Sequence, residues 1–218
     1  MSGSASLAES STGSSGALKP YLKRKKSSLG ETKIAILGYE GVGKSALSVR
    51  FLTKRFIGEY DHSAECKYKH SAIVDGENTA FEILDTRSLS GDCGAREDVL
   101  RWADGFMLVY SVVCRKTFEV LRDLHKKIEE FRRGTTVPIV IMGNKSDLAH
   151  MRQVTQVEGL KLAAELGCPF VELSASEDVI KVVEAFHTLC RDIIDYKRRS
   201  RTFLDRVFGA FGREKPSS

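Results

Sequence analysis

From residue 33 onward, short apolar runs alternate with stretches patterned like helices. The run KIAIL at 33–37 is apolar after its lysine, as a strand buried on both faces requires. Downstream, Ala46, Leu47, Val49, Phe51 and Leu52 suit a helix. Further runs predict strands over 69–74, 80–84, 106–112, 138–142 and 170–173, the first two joined by a turn at 75–78, DGEN. Helical patterns occupy 44–55, 96–103, 116–133, 157–166 and 179–196. Alternation of this kind predicts an α/β fold: a six-stranded, mostly parallel sheet flanked by about five helices, with the early hairpin as its one antiparallel pair.

The ends differ from the middle. Residues 1–18 are rich in Ser, Gly and Ala with one charge, a composition that cannot bury enough surface to order itself. Residues 1–30 carry five basic residues and one acidic, and 196–218 carry seven and two; with a net charge of +5 for the chain, the middle is left at −4. Three parts are expected: a disordered basic arm over 1–30, a folded domain over 31–196 and a basic amphipathic tail over 197–218. Anionic partners are therefore expected at the ends rather than on the domain.

The cluster KPYLKRKK at 19–26 reads as a nuclear-import patch, as an anionic-lipid contact or as a solvated charge run, and phosphorylation at Ser27 or Ser28 could weaken the first two. In the tail, Phe203, Leu204, Val207, Phe208 and Phe211 recur at helical spacing after Lys197, Arg198, Arg199 and Arg201. That stripe fits an anionic membrane surface, a partner helix site or a fold-back onto the domain. No interleaving of aromatic and basic residues of the kind that stacks bases is present, so specific nucleic-acid binding is not expected.

The five cysteines are odd in number and lack metal-ligand spacing, which argues against a disulfide framework and a zinc site. No signal-peptide pattern opens the chain, and its end, KPSS, holds no cysteine-containing lipidation box. A cytoplasmic monomer is expected, with nucleus or peripheral membrane reached through the basic ends.

The chemistry concentrates at strand ends, where open parallel sheets hold ligands. GYEGVGKS at 38–45 fits GxxxxGK[ST] between a strand and a helix, the context a phosphate-binding loop requires. Gly38, Gly41 and Gly43 allow a tight backbone whose N–H groups turn toward an anion, and the helix start adds its positive dipole end. Lys44 is placed for the β/γ-phosphates and Ser45 for Mg²⁺. Asp85-Thr86, NKSD at 144–147 and Ser174-Ala175 follow three other strands. The Asp147 carboxylate can accept guanine N1–H and the adjacent exocyclic amine together, whereas adenine would leave it unpaired.

GYEGVGKS, DT, NKSD and SA in this order resemble the Ras-like small GTPases, P-loop NTPases with a G domain, over residues 31 to about 196. Two segments, FLTKRFIGEY and RQVTQVEGLKLAAELGC, look most like the oestrogen-regulated growth inhibitor branch of that family and its "-like" relative. The resemblance implies GTP or GDP with Mg²⁺ as ligands and unnamed effectors and regulators as partners. It implies that Glu40, Val42 and Ala46 complete the phosphate loop, and that Ser45, Ser63 and, through water, Asp85 hold the metal. By the same resemblance Asn144 meets the purine edge, the Lys145 stem covers one face, Phe56 covers ring or ribose, and the Ala175 N–H beside Ser174 meets the carbonyl oxygen.

Departures from the family pattern bear on cleavage. Its alanine, glycine and water-holding glutamine are replaced here by Arg87, Ser88 and Leu89. Leucine has no polar group for a water, the Ser88 β-carbon narrows the backbone, and Glu40 brings a carboxylate to the γ-phosphate. Arg87 offers a weaker route to an internal cation. In the first-switch segment, 60–68, Ser63 stands for threonine and Cys66 for an acidic effector contact. The expected activity is a signalling switch with very slow GTP hydrolysis; the alternative is an interaction module that uses nucleotide structurally.

Overall fold

The computed structural model describes residues 31–57, 65–87, 93–133 and 135–211, with side chains through 202. The arm at 1–30, Ser63, Ser88 and Leu89 lie outside the described residues, as do the side chains of the tail stripe.

Six strands form one sheet in the order β2-β3-β1-β4-β5-β6. β1 (Thr32–Leu37) runs parallel to both neighbours, β3 (Glu77–Asp85) and β4 (Gly105–Ser111). β5 (Ile139–Asn144) and β6 (Phe170–Glu172) continue the parallel set. Only β2 (Cys66–Val74) is antiparallel, pairing with β3. The chain leaves β1 between β3 and β4, the point at which successive connections diverge to opposite sides and open a crevice.

Two strands differ most from the sequence expectation, each starting three residues early. β2 begins at Cys66 rather than 69, because the alternation on this edge strand leaves Lys67, Lys69, Ser71 and Ile73 exposed and looks too polar to be read as a strand. The hairpin turn is two residues, not four: Glu77 pairs with Val74, and Asp75 and Gly76 take φ of 49° and 80°. Positive φ at both positions matches the twist of the flanking strands.

Both faces of the sheet are covered. On one, Ile34, Ile36 and Ile83 pack under α1 (Lys44–Thr53) and α6 (Val179–Phe211). Phe51 of α1 stacks on Phe186 of α6 at 4.1 Å between ring centroids, fixing the phosphate-loop helix against the longest helix. On the other face, Ala35, Leu37 and Leu108 pack under α2 (Glu97–Trp102), α4 (Leu121–Arg132) and α5 (Gln156–Glu165). α5 starts with a capping box in which Thr155 and Glu158 satisfy each other's backbone N–H.

The helix expected over 116–133 is present as α3 (Arg115–Glu119) and α4, with Val120 between them. α6 runs to Phe211, beyond the expected stop at 196, since no glycine or proline interrupts it before Gly209. Lys197, expected to open the tail, is tied to the domain: its ammonium donates to the Glu31 carbonyl at 3.1 Å and to Asp104 at 2.6 Å. Among the described residues no helix is long and apolar enough to cross a membrane.

Candidate functional site

The loop between β1 and α1 is shaped by close approaches that exclude side chains. At Gly38 an added Cβ would stand 2.3 Å from the Val109 carbonyl oxygen of the neighbouring strand. At Gly43, φ is 97° and a Cβ would stand 2.4 Å from Asn144 Nδ2. Gly43 gives α1 no side-chain cap, and no acidic residue lies in its first turn, so the helix end is electropositive. Lys44 turns back along the loop, donating to the carbonyls of Gly38 at 2.8 Å and Tyr39 at 3.0 Å.

Asn144, buried at the end of β5, joins the two halves of the site. Its Nδ2 donates to the Val42 carbonyl at 2.8 Å, and its Oδ1 accepts from the Ala175 N–H at 3.0 Å. The sequence reading gave both groups to the purine. In the structure they also hold the phosphate loop and the 174–176 loop in register. Lys145 adopts a left-handed φ of 68°, and the following turn closes with Leu148 N–H on the Lys145 carbonyl at 3.1 Å. That turn presents Asp147 as an exposed carboxylate.

These elements line one cleft of about 670 Å³, the size of a small-molecule site. Glu40, Gly41, Gly43, Lys44, Ser45 and Ala46 form one end, with Asp85 beside them. Phe56, Asn144, Lys145, Asp147, Ser174 and Ala175 form the other. Gly38 and Val42 are buried beneath the loop rather than on the cleft wall. Arg87 is exposed and lines the cleft, as do Thr86, Leu148 and Ser176.

Thr86 anchors the segment after β3: its hydroxyl donates to the Ile36 carbonyl at 2.6 Å. Farther on, the Cys93 carbonyl accepts from the Gly38 N–H at 2.9 Å. Both ends of 87–92 are thus tied to β1 and the phosphate loop. Glu65 and Arg96, which follow the two segments outside the described residues, form an ion pair through both guanidinium nitrogens at 3.0 Å each. The Glu65 carboxylate raises the Arg96 pKa. No spacing rule links positions 65 and 96, so the sequence alone carries no signal for this pair.

Chemically, one end offers an electropositive helix start and a lysine for phosphates. Ser45 and Asp85 offer oxygen ligands of the kind Mg²⁺ takes. The other end offers a carboxylate for paired N–H donors and a large ring, Phe56, that is 45% exposed. Gly43→Ala is expected to weaken fluorescent GDP binding at least tenfold in titration (about 1.4 kcal/mol). Its β-carbon must displace Asn144, and with it both halves of the site.

A sequence model described as the Ras family matches residues 33–195. The human Ras-related and estrogen-regulated growth inhibitor is 47% identical over 163 residues, a match spanning 75% of this chain and 81% of that protein. Human Ras-like protein family member 11B is 40% identical over 176 residues, covering 78% of this chain and 71% of that protein.

Proposed function

The chain belongs to the Ras family of small GTPases, and we propose that it works as a guanine-nucleotide switch that stays loaded with GTP because it cleaves it very slowly. The observation that carries the proposal is the single cleft in which Lys44, Ser45 and Asp85 face the Asn144–Asp147 turn, with Glu40 at the phosphate end.

Guanine is bound through Asp147, with Lys145 and Phe56 covering the ring system. The phosphates lie against the loop amides and Lys44. Ser45, Ser63 and Asp85 would hold Mg²⁺, which would neutralise phosphate charge when bound with the nucleotide. Glu40 works against cleavage by placing a carboxylate where the anionic γ-phosphate must gather cations. Leu89 supplies no hydrogen bond to orient a water, and Ser88 restricts the backbone that would carry one.

A second reading, a module that uses nucleotide for structure alone, is favoured by the same Ser88-Leu89 pair. Nucleotide extracted from the freshly purified protein and resolved by ion exchange tests both. The expected result is guanine nucleotide with GTP as a major part. Adenine nucleotide, or none, would overturn the binding assignment, and GDP alone would show that turnover occurs or that GDP is preferred.

A further inference from the structure

Arg50 lies on α1, less than two turns beyond Lys44 and Ser45. Its guanidinium crosses to the loop after β6, where Nη2 donates to the carbonyls of Ser176 at 3.2 Å and Glu177 at 3.4 Å. Ser176 lines the nucleotide cleft, and Ala175 precedes it.

The other ties on this loop run elsewhere. The Ser174 N–H donates to Asp178 at 2.9 Å, the Ser176 N–H donates to the Ser174 hydroxyl at 3.2 Å, and the Ala175 N–H donates to Asn144 at 3.0 Å. These bonds shape the loop and fasten it to β5. Arg50 fastens it instead to the helix that carries the phosphate-binding residues.

The arginine is a poor choice for packing alone. Its Nε is buried and has no hydrogen-bond partner among the described residues, a desolvation penalty that an apolar chain of similar length would not carry. What the guanidinium supplies is a pair of charge-assisted bonds from one terminal nitrogen to two successive carbonyls.

We infer that Arg50 is a positioning residue that couples the base-holding loop to the phosphate helix and thereby sets the rate of nucleotide release. The inference rests on the cleft being the guanine-nucleotide site proposed above. Release requires the 174–177 loop to part from the rest of the cleft wall, and the Arg50 bonds resist that parting from the α1 side.

The test follows fluorescent GDP leaving the full-length protein after excess unlabelled GDP is added, beside thermal unfolding of nucleotide-stripped protein. In Arg50→Met, release is expected to be about tenfold faster, with the unfolding midpoint of the stripped protein unchanged or raised. Arg50→Lys, which keeps the charge on a shorter chain, is expected to fall between. Release from Arg50→Met within twofold of the parent would overturn the inference. So would faster release accompanied by an equally destabilised stripped protein, which marks a general packing role. Should Arg50→Met fail to fold, Arg50→Gln carries the same expectation, and a parental rate in it overturns the inference. A parent that binds no fluorescent GDP overturns the nucleotide reading itself and this inference with it.

Discussion

Asparagine in place of Asp147 is expected to lower GDP affinity by about a thousandfold and to give the protein a preference for xanthine nucleotide. In the proposed site the carboxylate accepts from guanine N1–H and from the neighbouring amine, two charge-assisted hydrogen bonds of about 1.5–3 kcal/mol each. The asparagine amide offers one acceptor and turns a donor toward the guanine amine, so one bond is lost and one contact becomes repulsive. Xanthine carries a carbonyl in place of that amine and accepts from the new donor. The turn that presents the side chain is built from the Lys145 left-handed backbone and from Ser146 N–H on the Leu173 carbonyl at 3.2 Å, so the exchange leaves its frame intact. Competition of GDP and xanthosine diphosphate against a fluorescent nucleotide checks it. An unchanged preference for GDP would remove Asp147 from base recognition.

Restoring the missing water-holding chemistry has the second large effect. Ser88→Gly with Leu89→Gln is expected to raise single-turnover GTP cleavage at least tenfold, toward the order of 10⁻⁴ to 10⁻³ per second typical of Ras-type proteins acting alone. The double change acts locally. The ends of this loop are held by the Thr86 bond to Ile36 and by the Gly38 bond to Cys93, so the surroundings need no rebuilding. What differs is a side chain that can bond a water and a backbone free to place it. Glu40 remains in the variant and keeps the gain below that of a loop restored at all positions. A double variant with the parental rate would place the block at Glu40 or elsewhere in the phosphate loop.

The phosphate loop was legible because local rules dictate it. Gly38 and Gly43 admit no β-carbon, and Lys44 and Ser45 follow at fixed offsets. The alternation of strand and helix was legible for the same reason, since burial on both faces writes a continuous apolar run such as GFMLVYS into β4. What escaped depends on contacts through space. The first residues of β2 look polar because one face of that edge strand meets solvent, and only pairing with β3 makes them a strand. The length of α6 was masked by its basic run, although Lys197 earns its place by holding Asp104 and Glu31. The Ala175 bond to Asn144, the Arg50 bonds to 176 and 177, and the Glu65–Arg96 pair join residues 31 to 127 positions apart. No periodicity or motif spans such separations. The boundary between phosphate chemistry and base chemistry is therefore set by tertiary packing around Asn144, while the residues on either side are named by short motifs.

In the proposed function, binding and cleavage have separated in this chain. That separation is tested most directly by loading the purified protein with GTP and Mg²⁺, removing free nucleotide, and following the GDP formed per site with time. The expected rate is below about 10⁻⁴ per second, under the usual range for unassisted Ras-type hydrolysis. Cleavage at the Ras-like order of 10⁻⁴ to 10⁻³ per second, or faster, would contradict it.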